Sequence, residues 1–289
     1  MADGNVPVDA DGRLNGGRAM HRCLSINLLS LAPASFERQV EVVARLGARA
    51  ITPDVGQFGD FSASQADRLI RDAGLKAAAL THRAFGFVDA AETQAARERL
   101  ERTIAFAQEV GASTIVLTTG GRGALNFNEA AKRFTDAMEP CAALARAAGI
   151  KLGIEPTSHL YADASIVHRL SDCAALASAA DISVTIDLFA CWTDADIETA
   201  IATAGPHAAL VQVSDYVYGD RALPCRAVPG DGAVQLGHLL PAIVKAGFSG
   251  SFDLEIIGPR LQTEGMERGL IRAAATVGNL LEGAGLSGE

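Results

Sequence analysis

The chain has 289 residues, 49% of them hydrophobic, which supplies the core of one large domain. Its formal net charge of −9, with only 25 scattered Lys and Arg, leaves no basic stripe to neutralise phosphates and argues against a nucleic-acid partner. No apolar run reaches the about 18 residues of a membrane span, so no membrane partner is expected.

The first 20 residues, MADGNVPVDADGRLNGGRAM, are polar and glycine-rich and lack the apolar stretch of a signal peptide. They read as a flexible tail on a cytoplasmic protein, ahead of one catalytic domain over 21–289. CLSINLL then predicts a first strand. VARLGARAITP, IRDAGLKAAALTH, AQEVGASTIVLTT and ARAAGIKLGIEP each pass from a helical stretch through a glycine (Gly47, Gly74, Gly111, Gly149) into a short apolar strand. DISVTIDL adds a further strand, TAGPHAALVQV with Gly205 is a looser copy, and IVKAGFSGSFDLEI with Gly247 closes the series. Gly47, Gly74, Gly111, Gly149 and Gly247 stand where a helix needs a left-handed C-terminal cap before the chain turns into a strand. Helix and strand in alternation imply a parallel sheet with right-handed crossovers. About eight such units fit a single α/β domain of the (β/α)8 TIM-barrel type better than an open doubly wound sheet. The absence of a G-x-G-x-x-G after the first strand agrees. Five cysteines, with no C-x-x-C pair, read as reduced thiols.

Four of the later strands carry a polar residue near their ends: Glu155 in KLGIEP, Asp187 in SVTIDL, Gln212 in ALVQVSD and Glu255 in SFDLEI. A charge in a buried strand is costly unless it is paired or bound to a metal. The C-terminal strand ends of a parallel barrel converge on one mouth, where active sites are built. Three carboxylates and one amide facing each other there predict a divalent ion between Glu155, Asp187, Gln212 and Glu255. Oxygen-only ligands favour Mn²⁺ or Mg²⁺, with Co²⁺ or Zn²⁺ as alternatives set by availability.

Other candidates surround that array. His82 ends the third strand in KAAALTH and is expected to point into the mouth as a catalytic residue; the alternative is a loop histidine packed on Phe85 and Phe87. Arg226, in the turn RAVPGDG, is expected to clamp a carboxylate or a pair of hydroxyls bidentately, with Gly230 and Gly232 serving the turn and Asp231 fixing it. Trp192 follows the sixth strand and either stacks on a ligand or caps the barrel. Phe85, Phe87, Phe189 and Trp192 are all expected near the mouth. TTGGRG, with Arg122, reads as a strand-to-helix loop, since it lacks the lysine and spacing of a phosphate loop. His168 falls where the fifth helix should begin, and His21, His207 and His238 read as surface or helix-end residues.

IEP at Glu155, TIDLFACW at Asp187, VQVSD at Gln212, RAVPGDG at Arg226 and DLEI at Glu255 together resemble the xylose-isomerase-like barrels. That superfamily holds sugar isomerases and epimerases, inosose dehydratases and 3-dehydroshikimate dehydratases, and endonuclease IV shares its fold. The resemblance spans roughly residues 21–282. It implies that Glu155, Asp187, Gln212 and Glu255 hold one divalent metal, and that the Gln212 form is similar to the dehydroshikimate-dehydratase side. It implies further that Arg226 is aimed at the substrate, that Glu155 and Glu255 act as acid and base on its two faces, and that His159 touches it. Ala190 stands where many isomerase relatives carry a substrate-contacting histidine, and the extra metal-binding histidines of endonuclease IV are missing. The activity implied is a metal-dependent isomerisation or epimerisation of a small polyoxygenated substrate, by abstraction of a proton next to a carbonyl through an enediolate. The alternatives are a dehydratase, a carbon–oxygen lyase of the inosose or dehydroshikimate type, and a non-catalytic metal-binding barrel. Relatives form dimers and tetramers, so a homo-oligomer is open.

Overall fold

Short apolar strands separated by glycine-capped helices build the molecule, and a computed structural model describes residues 19–288 of it. The strands are β1 (Leu24–Asn27), β2 (Ala50–Thr52), β3 (Lys76–Ala77), β4 (Leu80–Thr81), β5 (Thr114–Leu117), β6 (Lys151–Ile154), β7 (Ser183–Asp187), β8 (Ala208–Val213), β9 (Asp215–Tyr216), β10 (Arg226–Ala227) and β11 (Phe252–Leu254). The first five helices are α1 (Phe36–Arg45), α2 (Ala63–Asp72), α3 (Ala90–Glu109), α4 (Phe127–Ala147) and α5 (Leu170–Ala179). They are followed by α6 (Leu188–Cys191), α7 (Ile197–Ala204), α8 (Leu236–Lys245), α9 (Pro259–Glu264) and α10 (Met266–Gly283).

The main sheet runs in the order β3-β2-β1-β11-β8-β7-β6-β5-β4, and every pairing is parallel. Its two ends, β3 and β4, are consecutive pieces of one broken strand, so the order describes a nearly closed eight-unit barrel. The break falls at the run Ala77-Ala78-Ala79, whose side chains are too small to hold a pleat by cross-strand packing. The backbone bonds both neighbours across the break: Ala78 N–H donates to Ile51 O at 2.8 Å and Thr81 N–H to Pro53 O at 2.9 Å on one side, and His82 N–H to Val116 O at 2.7 Å on the other. Gly47, Gly74, Gly111, Gly149 and Gly247 all adopt the left-handed conformation the helix ends require, with φ of +70° to +99°. Gly205 does not. It opens a 3-10 turn in right-handed conformation, and what requires glycine there is the Cβ of Ala246 pressed against it.

Alternation along each strand divides the barrel into an outer apolar shell and an inner polar column. Leu24, Ile26, Leu152, Ile154, Val184, Ile186, Val211, Val213, Phe252 and Leu254 join the main core beneath the helices. Inside, Ala79, Val116 and Leu210 form a small separate apolar cluster. Beside it the buried Asp253 carboxylate accepts from Ser25 Oγ at 2.5 Å, Thr52 Oγ1 at 2.7 Å and Asn27 Nδ2 at 3.0 Å. Burial pushes its pKa up to about 6, against the pull of those three hydrogen bonds.

Of the tail expected over 1–20, residues 1–18 lie outside the described residues, and Met20 belongs to the barrel. It is buried, and its N–H donates to Gly47 O at 3.0 Å. All five cysteines are buried and unbridged. Among the described residues, no helix is long and apolar enough to cross a membrane.

Candidate active site

The polar positions near the ends of β6, β7, β8 and β11 lie on the inward phase of the alternation. Asp187 pairs in register with Gln212, and Gln212 with Asp253. Glu155 N–H donates to Leu117 O and Glu255 N–H to Val213 O, each at 3.3 Å, which extends β6 and β11 by one inward residue. Asp187, Gln212 and Glu255 are buried and Glu155 is half-buried. The side chains meet: the Gln212 amide lies beside the Glu155 carboxyl, and Glu155 lies within charge range of both Glu255 and Asp187.

Arg226 stands among them. Its Nη1 donates to Asp187 Oδ1 at 2.9 Å and its Nη2 to Asp187 Oδ2 at 2.7 Å, a bidentate fork, while Nη2 also lies 3.1 Å from Glu255 Oε2. Nη1 reaches Ser214 Oγ at 3.2 Å, and the guanidinium stacks 4.7 Å from the centre of the Phe189 ring. Burial acts most strongly on Arg226 and works against its charge, yet Asp187 and Glu255 more than offset it and its pKa rises. One cation against three carboxylates is not enough. Burial first, then the charges of Glu255 and Asp187, push the Glu155 carboxyl well above the usual range. Burial likewise raises Glu255, against the opposing pull of Arg226.

Two oxygens of this cluster, Glu155 Oε2 and Gln212 Oε1, are buried without a hydrogen-bond partner, and Glu255 Oε2 has only its ion pair with Arg226. Orphaned buried acceptors of one kind, facing a carboxylate excess, are what a small cation satisfies. The donor set therefore fits a hard divalent ion. The arginine fork holds Asp187, and among the described residues no three His, Cys, Asp or Glu side chains converge as a ready-made ligand set. Both Asp187 oxygens are engaged by Arg226 in this arrangement.

The turn that carries Arg226 is held by a residue whose role spacing alone does not reveal. Buried Asp215 accepts the N–H groups of Tyr216 at 2.8 Å, Gly230 and Gly232 at 2.9 Å each, and Val234 at 3.0 Å. A Cβ at Gly232 would collide with the Tyr216 carbonyl and the Asp215 carboxylate, so close approach of two chain segments explains that glycine. β9 and β10 pair antiparallel, with Arg226 opposite Tyr216. Asp231 is exposed and ties the turn to α10 through Arg272, at 2.9 and 2.7 Å.

Beside Arg226 a pocket of about 410 Å³ is walled by Phe189, Trp192 and Tyr216, with His159, His168 and Ala190 on its rim. The description "xylose isomerase-like TIM barrel" matches residues 40–275. The chain belongs to that family. Among solved structures it is similar to protein SMc04130 from Sinorhizobium meliloti 1021, with TM-score 0.79 and 27% identity over 91% of this chain and 98% of that one. It is similar also to the IOLI protein solved with a bound zinc atom, with TM-score 0.79 and 17% identity over 90% and 98% of the two chains. An L-ribulose 3-epimerase shares the fold at TM-score 0.73 and 19% identity, over 92% and 96%. No curated protein matches the sequence.

Within this xylose isomerase-like barrel, His82 does not join the carboxylates. Ala79 lies inside the barrel, Leu80 in the outer core, and the same alternation turns His82 outward. Its Nδ1 meets Thr103 Oγ1 of α3 at 3.0 Å, so the expected position in the mouth is corrected to one behind the sheet. Phe85 and Phe87 are corrected too. Both are buried, with ring centroids 5.9 Å from Phe134 of α4, because core packing draws them under the helix. Trp192 and His159 do line the pocket, and the aromatic wall extends to Tyr216 and exposed Tyr218, with centroids 6.1 Å from Trp192. His168, read as an ordinary helix-start residue, is on the rim as well, where Nδ1–H donates to Thr157 O at 3.1 Å.

Proposed function

We propose that the protein is a divalent-metal-dependent isomerase or epimerase that removes a proton next to a carbonyl of a small polyoxygenated substrate. The observation that carries this reading is the pair of unpartnered oxygens on Glu155 and Gln212, with Glu255 held only by Arg226, beside the Arg226–Asp187 fork. Glu155, Asp187, Gln212 and Glu255 would hold the ion, with Mn²⁺ or Mg²⁺ suited to an all-oxygen set. When bound, such an ion supplies a Lewis acid for the oxygens beside the reacting carbon. The fold held in common with an L-ribulose 3-epimerase and with the zinc-bound IOLI protein supports the assignment.

The chain's own residues divide the remaining work. Glu155 and Glu255 come from β6 and β11, Glu155 Oε2 without a partner and Glu255 Oε2 facing only Arg226, so one takes a proton and the other returns one. Arg226, released from Asp187, offers a planar fork to a carbonyl, carboxylate or vicinal pair of hydroxyls. Phe189, Trp192 and Tyr216 shield the reacting carbon from water, and His159 and His168 offer polar contacts at the rim. Ala190 leaves space where a bulkier side chain would narrow the pocket.

The test combines metal content with solvent exchange. The purified protein should hold about one Mn²⁺ per chain after loading, a content that Glu155→Ala and Asp187→Ala lose. With ketoses, inososes and dehydroshikimate-like acids in D₂O, the loaded protein should exchange the proton next to the carbonyl, and Glu155→Gln or Glu255→Gln should stop it. Exchange with loss of the neighbouring hydroxyl would assign dehydration instead. Bound metal with no exchange on any of these substrates would leave a non-catalytic barrel, and a metal-free wild type after loading would remove the mechanism altogether.

A further inference from the structure

The outward turn of His82 opens onto a second concavity, of about 410 Å³, between the segment after β2 and helix α3. Three guanidiniums line it, those of Arg83, Arg99 and Arg102. Among the described residues none of the three guanidiniums has a hydrogen bond or an ion pair, and Asp54, which accepts the Gly56 N–H at 2.7 Å, feels the charge of Arg83. Unpaired arginines on one wall of a pocket are an anion field, stronger where neighbours are apolar, and Phe58, Phe61 and Phe106 supply the apolar floor.

His82 adds the second, independent observation. Its side chain is 6% exposed, and its Nε2 is buried with no partner, on the wall of this pocket. The Thr103 hydroxyl donates to Arg99 O at 3.1 Å, so its 3.0 Å contact with His82 Nδ1 is a hydrogen bond when Nδ1 carries the proton. Nε2 is then an acceptor without a donor, on a ring that lines the arginine pocket. That combination is selective. A carboxylate satisfies the guanidiniums but brings no donor for Nε2, whereas a monoprotonated phosphate brings acceptor oxygens and one P–OH.

We propose that this pocket is a phosphate-binding site, separate from the barrel mouth, that takes the phosphate group of a phosphorylated small molecule between Arg83, Arg99 and Arg102, with its P–OH donated to His82 Nε2. None of the residues lining it is shared with the carboxylate cluster or with the aromatic pocket, so the site stands whether or not the proposed reaction does.

Inorganic phosphate and phenyl phosphate are the probes, titrated into the full-length protein by calorimetry and by ¹H–¹⁵N spectra of the histidine rings. Saturable binding is expected, with the His82 Nε2 resonance moving as the site fills, and tighter for phenyl phosphate because of the phenylalanine floor. Arg99→Gln and Arg102→Gln should each weaken it by about tenfold, the loss of one charge-assisted hydrogen bond. Both lie on a partly exposed helix face, and an unchanged circular-dichroism spectrum would show them folded. Binding that ignores these variants, or that leaves the His82 ring unmoved and disappears in Arg226→Gln, would place the phosphate at the mouth and overturn the proposal. Absence of saturable binding by either probe would overturn it as well.

Discussion

Arg226 grips Asp187 through two parallel hydrogen bonds of 2.9 and 2.7 Å inside the barrel mouth, where a divalent ion would need the same carboxylate. The guanidinium is therefore the internal counter-ion of the metal-free site. Without it, Glu155, Asp187 and Glu255 face one another with no positive charge between them. In chelator, Arg226→Gln is expected to lower stability by about 3 kcal/mol, the scale of breaking a buried ion pair from one side. Mn²⁺ should restore more stability to this variant than it adds to the wild type. Urea denaturation with and without the ion measures both, and an Arg226→Gln protein as stable as wild type in chelator would refute the counter-ion role.

Gln212 Oε1 is the neutral member of the orphaned set. Replacing it by an imidazole changes the donor from a hard oxygen to a nitrogen while keeping the position on β8. Gln212→His is expected to shift preference from Mn²⁺ towards Zn²⁺ or Co²⁺ by about tenfold or more, following the affinities of mixed nitrogen and oxygen sites. Competition between ions, read by elemental content, would show it. An unchanged preference would mean that residue 212 does not touch the metal.

Local chemistry carried most of the barrel. Five glycines predicted left-handed helix ends and all five adopt them, because a cap requirement is set by a few neighbouring residues. The inward polar residues of β6, β7, β8 and β11 were legible for the same reason, since a carboxylate in an apolar strand is conspicuous. Period-two alternation was readable too, and applied to LTH it turns Thr81 inward and His82 outward; proximity to a strand end was the weaker guide. What stayed hidden depends on long-range contacts. Asp215 looks like an ordinary strand-end acid until Gly230, Gly232 and Val234 arrive around it from 15 to 19 residues later. The Arg226–Asp187 fork, 39 residues apart, is likewise a product of the closed fold.

Asp215 gives the turn its shape by accepting four backbone N–H groups at 2.8 to 3.0 Å. Asp215→Ala strands those donors, at a cost of about 4 kcal/mol in total if half are rescued by water. Arg226 sits on the strand this turn follows, so its aim should suffer with it. The expected signature is a lower melting temperature together with a weakened Arg226–Asp187 pair, seen as a smaller penalty for Arg226→Gln in the Asp215→Ala background. Full additivity of the two substitutions would show that the turn does not position the arginine.

His82 gives stability a pH dependence whose sign follows from its surroundings. Burial, followed by the charges of Arg99 and Arg83, lowers its pKa from 6.5 to about 4. The unfolded chain thus takes up a proton near pH 6.5 that the folded chain refuses until about pH 4. Stability from this group is complete above pH 6.5 and is lost as pH falls towards 4, by about 3 kcal/mol at most. His82→Gln should flatten that part of the curve, so the difference between wild type and variant, measured by urea denaturation in phosphate-free buffer, should shrink as pH falls. Added phosphate should raise wild-type stability across this range, since it binds the folded state alone. A difference independent of pH between 4 and 6.5 would show that His82 titrates alike in both states and is not held neutral by its arginine neighbours.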